Sequence, residues 1–216
     1  MVRQWQGWPK QRNAALEIAS GDWLLFVDGD ERVPPSLAHE IRRRVPEAGE
    51  TAGFWIPRRN VIAGEWVKHA GWWPDRQLRL LRRTGARYDE GVEVHEVATL
   101  DGPSDTLSEP FLHLNYDTLA EFREKQARFA ILDAHTLWER GTRPRPHSLL
   151  LQPLREFRRR TLELGGIRQG GLGLRLGAEM ALASFLTYRK LLSMKRKERA
   201  EQVEQSPTGP ILAPNA

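Results

Sequence analysis

Asp28 and Asp30 stand two residues apart, directly after the apolar run Trp23-Leu24-Leu25-Phe26-Val27. A short apolar run bounded by turn formers reads as a buried, parallel strand, and ligands of open α/β sheets gather at the carboxyl ends of such strands. Two carboxylates at that point are hard oxygen ligands for Mg²⁺ or Mn²⁺, ions that keep positions for water and for substrate phosphate oxygens. Gly29 between them leaves room for a phosphate to approach. An acidic turn after a strand also caps the helix that follows, so the spacing alone leaves both readings open.

Other positions could carry chemistry. In Val92-Glu93-Val94-His95-Glu96-Val97, alternation puts Glu96 on one face with Val92 and Val94. Partial burial there would raise its pKa and suit it to general-base work, whereas a neighbouring Arg would make it structural. Gln77 to Leu81 alternates as a strand reaching Arg82-Arg83, whose charges would meet a diphosphate or face water. His113, in Pro110-Phe111-Leu112-His113, is a further metal or diphosphate contact or a core histidine.

The elements that must position these groups follow from local signals. Lys10 to Ala19 has helical spacing and stops at Ser20-Gly21-Asp22. Pro34-Pro35-Ser36 opens a second helix that Pro46 ends. Gly53 to Ile56 and Asn60 to Ile62 read as two strands. Asp117 to Gly141 is a long helix, and 149–164 and 172–194 are two more. The expected organisation is an α/β catalytic region over 1–116, a helical region over 117–199 and a disordered tail over 200–216.

With the acid pair framed by two helices, the chain resembles family 2 glycosyltransferases. The likeness runs through Trp5-x-Gly7, Gln11-Arg12-Asn13-x-Ala15-Leu16, Gly21-Asp22-Trp23 and Val27-Asp28-Gly29-Asp30-Glu31-Arg32-Val33. It continues in order through Arg59-Asn60, Gly64-x-Trp66, Trp73-Pro74-Asp75-x-Gln77-x-Arg79-Leu80, Val94-His95-Glu96, His113, Tyr116 and Gly170-Gly171-x-Gly173. Within that group it is similar to bacterial enzymes of lipopolysaccharide core and cell-envelope glycan assembly, including core β-glucosyltransferases. The resemblance implies a GT-A-like, mostly parallel α/β sheet and inverting, metal-dependent transfer of a hexosyl group from a nucleotide sugar, UDP-hexose by expectation, to a glycan or glycolipid acceptor. Asp28 and Asp30, with His113, would hold the metal. Glu96 would be the base, with Asp75 the second candidate for base or acceptor contact. Arg12, Asn13, Gln77, Arg79, Arg82 and Trp73 would bind substrate.

Members of the group begin with a further strand-helix-strand section that carries the nucleotide-base pocket. The chain is therefore expected to enter the fold at its third or fourth element, incomplete at the amino terminus. A second reading makes it a non-catalytic remnant or a partner-binding module. A third is a phosphatase of the haloacid dehalogenase type, with Asp28 as nucleophile and Asp30 as acid. That type expects Thr or Val where this chain has Arg32.

Composition sets outer bounds. The chain has 216 residues, 40% of them apolar, with 8 Trp, enough for a core. It has no Cys, so disulfides and thiolate metal sites are excluded. The first residues lack a signal-peptide core, and a cytoplasmic location is expected, with a peripheral position on the inner membrane face as an extension. Residues 1–154 carry 21 Lys+Arg against 22 Asp+Glu, whereas 155–199 carry 12 against 4. That basic segment fits an anionic membrane surface or an ordinary packed helix. It lacks the interleaved aromatics of a nucleic-acid module, and no nucleic-acid partner is expected.

Overall fold

Helix α1 (Trp8–Ile18) and helix α2 (Pro35–Arg44) each pack their apolar side chains on a sheet in the computed structural model, which describes residues 4–91 and 97–205. The chain divides into two compact units, 1–118 and 119–216. In the first, β1 (Trp23–Leu25), β2 (Glu31–Arg32), β3 (Gly53–Ile62), β4 (Glu65–Trp66), β5 (Asp75–Arg82), β6 (Ser104–Thr106) and β7 (Phe111–Tyr116) form one sheet. Its order is β1-β5-β3-β7-β2, and β4 and β6 also pair with β3.

Two apolar clusters explain the layering. Leu37 of α2 meets Phe54, Ile56, Leu80, Leu107 and Phe111, with Trp23 and Leu25 packed against them. Leu16 of α1 meets Leu78, Leu81, Tyr88 and Ala98, with Leu24 and Phe26 against them. The run from Trp23 to Phe26 is continuously apolar because alternate side chains face different clusters, each partly buried.

The α/β class stands, but the sheet is mixed rather than mostly parallel. Among the described residues, β3 is parallel to β6 and β7, whereas β1–β5, β3–β5, β3–β4 and β2–β7 are antiparallel. An apolar run specifies burial; strand direction is set by the connections, and the short β4 turn between β3 and β5 forces those two to run oppositely. The expected break between 56 and 60 is also absent, since β3 continues through Pro57. Its missing N–H falls where pairing with β6 ends at Trp55 and pairing with β7 begins at Arg58.

In the second unit, α3 (Leu119–Glu139), α4 (Ser148–Arg158) and α5 (Gly170–Gln205) are joined through a π-helical turn over 159–163 and a 3-10 turn over 166–169. Arg123 pairs with Glu179 and Arg143 with Glu198, so α3 and α5 run in the same direction, with α4 as the return. A Cβ on Gly173 would lie 1.9 Å from the Gly166 carbonyl oxygen, and one on Gly177 would lie 2.7 Å from the Thr161 methyl. Glycine at these positions lets α5 start against the preceding turns. No helix among the described residues is long and apolar enough to cross a membrane.

Candidate active site

Two β-bulges aim polar side chains at one end of the sheet. Leu78 and Leu80 of β5 oppose Trp55 and Phe54 of β3, which leaves Arg79 as the extra residue. A bulge of this kind redirects its side chain. The buried Arg79 guanidinium donates to Asp28 Oδ2. Its backbone carbonyl accepts the Phe26 N–H at 2.9 Å, which fixes the end of β1 beneath the acid pair. Arg12 of α1 lies 3.5 Å from the other Asp28 oxygen and over the rings of Phe26 and Tyr88. Asp28 is thus held by two guanidiniums.

Asp30 turns to a different partner. Its Oδ2 lies 3.3 Å from His113 Nε2, and His113 Nδ1 lies 2.6 Å from Asn60 Oδ1. The Asn60 amide nitrogen donates to the Trp72 carbonyl at 3.0 Å and to Asp75 at 3.2 Å, so its oxygen is the acceptor that assigns the proton to His113 Nδ1. Burial lowers the His113 pKa, and the Arg58 charge lowers it further, while Asp30 and Asp75 pull the other way. A neutral His113 then points the Nε2 lone pair at the Asp30 carboxylate. Asn60 is the residue that fixes the tautomer of that ring. A second bulge, at Asn115 of β7, brings the Asn115 amide to 3.5 Å from the same Asn60 oxygen.

Glu31 ties the two acids together. Its side chain is fully buried, one oxygen accepts the Asp28 backbone N–H at 3.0 Å, and the other lies 3.7 Å from Arg58 Nη1 without a hydrogen bond. Burial raises its pKa; the Asp28 N–H bond opposes this, the Asp28 charge adds to it, and Arg58 offsets it in part. Arg58 also donates twice to Asp75 Oδ2, at 2.6 and 2.8 Å, and Gln77 donates to Asp75 Oδ1 at 3.0 Å. Asp75 is therefore engaged on both oxygens as an organiser of Arg58, Asn60 and Gln77. Glu31, Arg58 and Asn60 were not singled out as site residues from sequence. Arg58 and Asn60 are polar residues inside an otherwise apolar strand, which is the signal that could have found them, whereas Glu31 sits in a run of charged residues that hides it.

Other expected site residues stand elsewhere. Asn13 exchanges hydrogen bonds with the Tyr88 backbone and donates to Glu90, so it pins the segment that leads toward 92–96. Arg82 donates to the carbonyls of Gly49 and Thr51 and covers the Trp23 ring, which makes it an anchor of the strand end. Trp73 packs edge-on against Trp66, whose ring also carries Arg59 and Lys68 over it. Glu96 lies outside the described residues. Among the described residues, no three of His, Asp and Glu gather as a metal cluster. Asp28 pairs with Arg79 and Arg12, whereas Asp30 pairs with His113.

Beside this network opens a cleft of about 450 Å³. Arg12, Arg58, Arg76 and Arg79 line it together with Asp28, and Trp8 and Trp55 add aromatic surface. Four guanidiniums in one concave site match a polyanion such as a diphosphate, and the flat rings match a planar or pyranose group. The α/β fold is consistent with a GT-A-like domain. Residues 1–100 match the model of glycosyl transferase family 2. The chain is also 29% identical, over 192 residues, to the lipopolysaccharide core biosynthesis glycosyltransferase LpsC of Rhizobium meliloti (strain 1021), an alignment that takes in 88% of this chain and 71% of that protein.

Proposed function

We infer that the protein transfers a hexosyl group, with inversion, from a UDP-sugar to a lipopolysaccharide core or related envelope glycolipid. The observation that carries this reading is the four-arginine cleft continuous, through Arg58, Asp75 and Asn60, with the Asp30–His113 pair. The cleft would take the diphosphate, with Arg79 and Arg12 oriented by Asp28. Asp30 and His113 would hold Mg²⁺ or Mn²⁺ through one carboxylate and one imidazole, a small ligand set of the kind that leaves positions for water and phosphate. A bound ion there would neutralise charge on the departing diphosphate. Glu96 is taken as the base for the acceptor hydroxyl on family likeness alone. The acceptor assignment rests on the named relative, and the basic segment 155–199 is read as facing the inner membrane surface. Incubation with radiolabelled UDP-glucose and a truncated core acceptor should give labelled lipopolysaccharide that depends on Arg79. Release of free glucose alone, or transfer undiminished in Arg79→Ala, would reject the reading.

A further inference from the structure

The acidic groups of segment 155–199 are all engaged: Glu156 by Arg159 and Arg160, Glu163 by Arg158, Glu179 by Arg123 and Glu198 by Arg143. These pairs leave Arg189 and Lys190 without a carboxylate among the described residues. Both line a groove of about 520 Å³ between α3 and α5, together with Ala127, Ile131, Leu186 and Ser193. Ile131 is half exposed, and Leu182, one turn before Leu186, is also open to solvent. Apolar side chains and unneutralised cations thus share one concavity, within the range of roughly 300–1,000 Å³ usual for single-ligand sites.

We propose that this groove seats an anionic phospholipid of a bilayer surface, an acyl chain lying along Ala127, Ile131 and Leu186 and the phosphate held by Arg189 and Lys190. Charge and polarity select this occupant, because an apolar tail joined to a phosphate complements both parts of the lining. An acidic amphipathic helix would match the groove as well. It would leave uncovered the rest of the unit's apolar and basic surface, which includes exposed Leu150, Leu151 and Leu154 on α4 and the unpaired Arg175 and Arg196 on α5. An extended lipid surface can cover more than one groove. The inference rests on the reading of 155–199 as membrane-facing and adds the site of contact.

The test is flotation of the full chain with phosphatidylcholine vesicles with and without phosphatidylglycerol, at low and high salt. Arg189→Gln/Lys190→Gln removes the groove cations, Ile131→Ser/Leu186→Ser removes its apolar wall, and Arg42→Gln/Arg43→Gln removes equal charge from exposed positions of α2 in the other unit. Circular dichroism checks that each variant is folded, and the charge variants suffice if the apolar one is not. Binding should require phosphatidylglycerol and fall roughly 30-fold in the groove-cation variant, taking about fivefold for each cation near an anionic surface. It should fall less in the charge control. No phosphatidylglycerol-dependent binding would overturn the groove and the membrane-facing reading together. Equal losses in the groove and control variants would overturn the groove alone. Capture of a Glu-rich amphipathic peptide in place of vesicles would assign the groove to a protein partner and overturn the lipid.

Discussion

His113 shows how much of the site depends on one protonation state. Asn60 accepts its Nδ1 proton, burial lowers the ring's pKa, and Nε2 lies 3.3 Å from Asp30. A histidine whose folded pKa is lowered binds fewer protons in the folded chain than in the unfolded one, so stability rises with pH across the window from the lowered value up to about 6.5. Acidification below about 6.5 should therefore destabilise the first unit until the folded pKa is passed. His113→Gln should flatten that slope, which thermal unfolding at a series of pH values measures. A slope unchanged in the variant would mean that His113 is already charged in the folded chain. Glu31 is a second buried ionisable group that the fold must hold, since one of its oxygens has no hydrogen bond and lies 3.7 Å from Arg58 Nη1.

The elements were legible in the sequence to an uneven degree. Helices α1 and α2 followed from their spacing, their proline or glycine punctuation and one apolar face each, all local signals. The acid pair was equally visible, because two carboxylates after an apolar run need no tertiary information to be noticed. The division of labour between them was not visible. Asp28 belongs to Arg79 and Arg12, and Asp30 to His113, because a bulge at Arg79 and the register of β7 against β2 and β3 bring these partners together. Bulges arise from register between distant strands, and a single strand carries no mark of them. The carbonyl partners of Arg82 were likewise not legible, because a charge at a strand end looks free in sequence. In the helical unit, Gly173, quoted for its family likeness, acquires a steric reason. Gly173→Ala would drive a methyl into the Gly166 carbonyl and should destabilise that unit by roughly 1–3 kcal/mol. Chemical denaturation followed by far-ultraviolet circular dichroism would detect this, and an unchanged midpoint would refute the close approach of α5 to the preceding turn.

For the whole molecule, the charge asymmetry of the sequence resolves into two concavities with different linings. In the first unit the arginines converge on a cleft beside two acids, and in the second the surplus cations lie beside exposed apolar side chains. A phosphorylated donor in one unit and an anionic lipid at the other is a division that fits transfer of sugar onto a membrane-borne acceptor. The phosphatase alternative loses support on the same geometry, since its nucleophile, Asp28, is held by two guanidiniums. The most direct test of the central claim is calorimetric titration of UDP-glucose into the full chain with and without Mn²⁺, repeated on Asp30→Ala and His113→Ala. The account predicts binding that requires Mn²⁺ and is lost in both variants; metal-independent binding that survives in both, or no binding to the unaltered chain under either condition, would contradict it.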